Sequence, residues 1–96
     1  MAQYILLIHG NVKNPVPEGE WDQFFEAARE SGLFRGGSEI GQRILIGDSE
    51  SVSSTDHIAG YMRFDCENRQ EILDLLELHP VVLHGGTVEL CELPES

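Results

Sequence analysis

The stretch from Ile58 to Leu93, IAGYMRFDCENRQEILDLLELHPVVLHGGTVEL, restricts the possible folds of this chain more than any other. From Ile58 to Cys66 the residues alternate. Ile58, Gly60, Met62, Phe64 and Cys66 fall on one side, and Ala59, Tyr61, Arg63 and Asp65 on the other. A period of two is the mark of a strand. Asn68 is placed to cap a following helix, with Glu71 three residues on. Ile72, Leu75, Leu76 and His79 then fall at i, i+3, i+4 and i+7, one face of a helix. Pro80 is expected to end that helix, because proline has no N–H and clashes with the preceding turn. Val81–His84 can add one further turn, with Gly85 free to take the left-handed closing conformation. Thr87–Leu93 alternates again, Val88 and Leu90 against Thr87, Glu89 and Cys91. The stretch therefore reads β-α-β.

Gln3–His9 is a nearly continuous apolar run, Tyr4–Ile8 (YILLI) being apolar on both faces, which calls for a central strand covered on both sides. Asn11–Gly19, with Pro15 and Pro17, reads as a loop. Trp21, Phe24, Phe25 and Ala28 repeat the helical spacing, so a first helix is expected over Glu20–Ser31, closed by Gly32. Gly36–Gly41 reads as a flexible connector into a strand around Arg43–Ile46. The polar, serine-rich Gly47–Asp56 reads as an exposed hairpin loop.

The resulting order β-α-β-β-α-β is that of a ferredoxin-like α+β domain, a single domain over residues 1–96. Its antiparallel sheet has strand order 4-1-3-2 and carries two helices on one face. The other face would expose Ile5, Leu7, Ala59 and Tyr61. That surface is too apolar to be left wet. A homodimer packing two sheets face to face is the expected solution.

Charge narrows the partners. Seventeen acids against six Lys and Arg give a net charge of −11, a field that repels phosphate backbones. Neither nucleic acid nor an anionic membrane is an expected partner. The first residues carry no basic region, and the run Ile5–Ile8 is too short for a signal peptide or a membrane span. A cytoplasmic protein is the expectation. Cys66 and Cys91 would then be reduced, buried structural thiols. The intervening first strand would hold them roughly 9–10 Å apart, beyond disulfide reach.

Five residues are candidates for chemistry. His79 is a possible general acid or base, with an ordinary pKa of about 6.5; its competing reading is a histidine favoured by the negative end of a helix. His9, Tyr61 and Arg63 would share the open sheet face as a polar patch for a small carboxylate or carbonyl compound. A structural network pairing Arg63 with Glu89 or Asp65 competes with that reading. His84 opens an HGGT string that resembles an esterase oxyanion loop, but no G-x-S-x-G elbow accompanies it, so a structural turn is preferred. No metal-ligand spacing is present, the Gly36–Gly41 run lacks the residues of a phosphate-binding loop, and no cofactor is expected.

Taken together, MAQYILLIHG, EWDQFFEAARESG, GGSEIG, IAGYMRFD and HPVVLHGGTVEL resemble the YCII-related, or DGPF-type, domain family over nearly the whole chain. The resemblance implies a dimeric α/β barrel built on the ferredoxin-like fold. It also implies a His–Asp pair at the positions held here by Trp21 and His79, so the pair itself is absent. The loop motif of the family is reduced to Thr55-Asp56. Two functions follow as expectations. The first is a non-catalytic homodimer that binds a small molecule; the second is a cofactor-independent isomerase, lyase or monooxygenase-like enzyme using His79.

Overall fold

Alternation along the first strand sets the layers of the computed structural model, which describes residues 1–95. In β1 (Ala2–His9), Tyr4, Leu6 and Ile8 are buried while Ile5, Leu7 and His9 are half-buried on the opposite side. The elements that follow are α1 (Glu20–Ser31), β2 (Phe34–Glu39), β3 (Ile58–Cys66), α2 (Arg69–Leu76), α3 (Pro80–Leu83) and β4 (Val88–Leu93). The four strands form one sheet in the order β2-β3-β1-β4 with antiparallel neighbours, the ferredoxin-like arrangement. β1 lies between β3 and β4 and so separates Cys66 from Cys91, and both thiols are free. Cys66 is buried, whereas Cys91 is only half-buried, a correction to its expected burial.

One core lies between the sheet and the helices. Tyr4, Leu6, Met62 and Phe64 of the sheet meet Phe24 of α1 and Ile72 of α2. The molecule measures 42 × 38 × 18 Å, and its radius of gyration is 14.5 Å. A packed globule of this length would have a radius near 12.5 Å, roughly 2.2·N^0.38. The flatness follows from a single helix layer on a single sheet, with the second sheet face open.

Local chemistry explains most element ends. Gly32 takes φ +74 and its N–H bonds to the Arg29 carbonyl, closing α1 as expected. The Asn68 side chain accepts from the Gln70 N–H at 3.0 Å and starts α2. Glu71 does not complete a capping box: its carboxylate accepts from the Cys66 thiol at 3.1 Å instead. Burial, and then this carboxylate, push the Cys66 thiol pKa up.

Two further expectations need correction. The second strand is Phe34–Glu39, not Arg43–Ile46, so the glycine-rich run pairs with β3. Its glycines permit a close approach. A Cβ on Gly37 would stand 2.3 Å from the Tyr61 carbonyl oxygen, and one on Gly60 would stand 2.9 Å from that of Ser38. Arg43–Ile46 instead lies in the exposed loop after β2, where Ile44 is 80% and Ile46 94% exposed.

The second correction concerns α2, which ends at Leu76 rather than at Pro80. A residue before proline is pushed out of the helical region. His79 accordingly has φ −67 and ψ 128, and Pro80 is the first residue of the short α3.

Candidate functional site

The bend at Pro80 decides what His79 can do. Rather than closing α2, it caps α3: its Nδ1 accepts from the Val81 N–H at 3.1 Å. An accepting Nδ1 carries no proton, so the neutral ring holds its proton on Nε2. The side chain is fully buried, and burial pushes its pKa down to about 4. Its ring stands edge-on to Trp21, with centroids 5.0 Å apart and planes at 84°, and 4.7 Å from Phe24. Nε2 is the buried side-chain nitrogen or oxygen without a hydrogen-bond partner among the described residues. Its N–H is left with the aromatic rings around it.

The other candidates are dispersed. His9, at the end of β1, places Nε2 3.3 Å from a Glu89 carboxylate oxygen, and its ring lies 5.4 Å from that of His57. Leu7 is flanked on the sheet by Tyr61 and Glu89, and Ile5 by Arg63 and Cys91. These residues form the open face, with an apolar centre on β1. Arg63 is exposed and makes no ion pair among the described residues. The acids that could have held it are engaged elsewhere: Asp65 accepts from Arg35 at 3.2 Å, and Glu89 faces His9. His84, at the end of α3, places Nε2 2.9 and 3.1 Å from the two carboxylate oxygens of Glu20. That contact ties α3 to the first turn of α1.

A cleft of about 770 Å³ opens on the helix side of the sheet, at the end where β2 and β3 meet the loops. Trp21 and Phe25 of α1 form one wall, their rings stacked at 5.7 Å and 29°. Gly37 and Gly60 leave bare backbone on the sheet side. Because neighbouring strand backbone forbids a Cβ there, no side chain from either position can fill the space. Val12, Val16 and Ile40 extend the apolar lining, and Arg43 and Asp56 bring charge to it from the long loop after β2.

His9 and Tyr61 also border this cleft. Arg63, His79 and His84 do not line it, although the Trp21 ring that His79 meets does. Arg43, Asp56 and His57 were not singled out from sequence. Arg43 and Asp56 meet at 3.4 Å across a 13-residue separation in an irregular loop, and no periodicity marks such a pairing. Trp21 and Phe25 carry a sequence signal that reads as core, and of the residues bordering the cleft only His9 and Tyr61 are candidates for binding from sequence.

Among the described residues, no cluster of three or more His, Cys, Asp or Glu is arranged to hold a metal ion. Nor is any helix there long and apolar enough to cross a membrane.

No family model matches the chain. No curated protein matches it either. Among solved structures, it is similar to 5-chloro-2-hydroxyhydroquinone dehydrochlorinase (TftG) from Burkholderia phenoliruptrix AC1100 in complex with 2,5-dihydroxybenzoquinone. That likeness has 11% identity and a TM-score of 0.49, over 100% of this chain and 96% of the other. It is similar also to At3g17210 from Arabidopsis thaliana, with 10% identity and a TM-score of 0.49 over the same shares. At such scores and identities neither likeness bears on what this chain does.

Proposed function

We propose that this chain is a small-molecule-binding protein that works as a homodimer, a divergent relative of the YCII-related domains whose segments it resembles. The observation that carries the binding role is the cleft between α1 and the β2–β3 end of the sheet. Its volume of about 770 Å³ falls within the roughly 300–1,000 Å³ usual for ligand sites. Its lining has the usual character as well, apolar and aromatic with a few charged groups. Two glycines that strand packing keeps bare help to hold it open.

Self-association is supported by the apolar centre of the open sheet face, Ile5 and Leu7 with Tyr61 beside them, and by the highly exposed Ile44 and Ile46. Apolar surface of this kind favours burial against a partner. A second copy offers the same face to meet it.

The alternative, an enzyme with His79 as general acid or base, has one observation in its favour, the unpartnered Nε2. Its protonation state argues against it. Nδ1 is held as an acceptor and Nε2 keeps its proton, so neither nitrogen is free to take one at neutral pH.

Trp21 is the sole tryptophan and lines the cleft, so its emission tests the binding role directly. Titration with a panel of small apolar and aromatic compounds should find at least one that changes the emission saturably. A panel that leaves the emission unchanged would count against the role.

A further inference from the structure

Arg43 carries information about the kind of molecule the cleft would take. It is the one Lys or Arg that lines the cleft among the described residues, and its side chain is 23% exposed. A guanidinium has five N–H donors and stays charged at any working pH. Two are committed: one nitrogen donates to the Ile58 carbonyl, and another to Asp56 at 3.4 Å. The carbonyl anchors the head group at the start of β3. The Asp56 contact is long, and that carboxylate is 85% exposed, so solvent weakens it. Three N–H donors thus have no protein partner among the described residues.

Apart from the Glu39 and Asp56 carboxylates, the cleft that holds these donors is lined mainly by apolar groups and backbone. Trp21 and Phe25 offer ring area on one side, and Gly37 and Gly60 offer backbone on the other. A cation with free donors beside such a surface matches a ligand with an anionic end and a flat apolar body.

We propose that the cleft selects a flat, mainly apolar carboxylate, such as an aromatic acid, with Arg43 binding the carboxylate and Trp21 and Phe25 covering the ring. This rests on the proposed binding role and assigns its ligand class. The overall negative charge, with Glu39 and Asp56 at the cleft itself, slows the approach of such an anion. Recognition depends on the donors at hand once the carboxylate has left water.

Three probes of one shape separate the ligand class from the cleft itself: 2-naphthoate, the neutral 2-naphthamide and the cationic 2-naphthylmethylammonium. Each is titrated calorimetrically into the intact protein, with Trp21 replaced by Phe as a control for cleft occupancy. The expected result is that naphthoate binds at least about tenfold more tightly than the amide, the gain typical of a charge-assisted pair. Arg43→Met should remove that advantage and leave amide binding in place, while Arg43→Lys should keep part of it. If the amide or the ammonium compound binds as tightly as naphthoate, the anion preference is wrong and the cleft remains a binding site. If no probe binds, or Trp21→Phe leaves all three affinities unchanged, the binding role falls together with the ligand class.

Discussion

The imidazole of His79 meets the indole of Trp21 edge to face, 5.0 Å between centroids, at the two positions where the family resemblance implies a His–Asp pair. The sites are therefore adjacent in the fold, but their chemistry is an aromatic contact. A neutral histidine caps α3 and supports a tryptophan that walls the cleft. The His79 Nε2–H is buried without a hydrogen-bond partner among the described residues, and the Trp21 ring it meets lines the cleft.

A consequence is a pH dependence of stability. The folded-state pKa of His79 is about 4, below the ordinary 6.5 of an unfolded chain. As pH falls from 6.5 towards 4, the unfolded state takes up a proton that the folded state does not, and stability drops. Above pH 6.5 the contribution is fully present. The loss from this one group is at most about 3 kcal/mol, at ~1.4 kcal/mol per pKa unit. Urea unfolding at a series of pH values should show a smaller drop in His79→Asn than in the wild type, since the other titrating groups act in both. Asparagine keeps an N-cap acceptor without the titrating ring.

Gly37→Ala should weaken the β2–β3 pairing, because its Cβ would stand 2.3 Å from the Tyr61 carbonyl oxygen. Backbone must move to relieve that contact, a cost of about 1–3 kcal/mol for overpacking. Gly41→Ala is the control: nothing lies within 4 Å of its Cβ and its φ is not positive, so its effect should be small. Chemical denaturation of the two variants measures the difference.

The same two segments show why part of the fold was legible in the sequence and part was not. β1, α1, β3 and the Asn68 cap follow from periodicity and capping chemistry that act within a few residues. Phe34–Glu39 has two glycines and one apolar side chain, so nothing local marks a strand; what makes it one is the close approach of β3. Arg43–Ile46 has the apolar character of a strand and no neighbouring strand to pair with. The cleft was hidden for the same reason, since its lining comes from two helices, three strands and two loops.

The open sheet face leads to an expectation about assembly. The protein should sediment at twice the 10.7 kDa of one chain at micromolar concentration. Leu7 lies at the centre of that face, flanked by Tyr61 and Glu89. Leu7→Glu should place a charge in the interface beside Glu89 and give a monomer that keeps the wild-type circular dichroism. A monomeric wild type would overturn the dimer.

Asn68→Ala should cost about 1 kcal/mol, the usual value of an N-cap. Its side chain accepts the Gln70 N–H at 3.0 Å at the start of α2, and no other side chain replaces that acceptor among the described residues. Thermal unfolding of the variant measures the loss, and Asn68→Asp should recover most of it.

The most direct test of the central claim is a fragment screen read by the ¹H–¹⁵N spectrum of the intact protein. At least one small aromatic fragment should shift the Trp21 indole N–H and the Gly37 and Gly60 amides together, saturably and with one affinity. Shifts confined to the open face around Ile5, Arg63 and Cys91, or no saturable shifts at all, would contradict a ligand site between α1 and the β2–β3 end of the sheet.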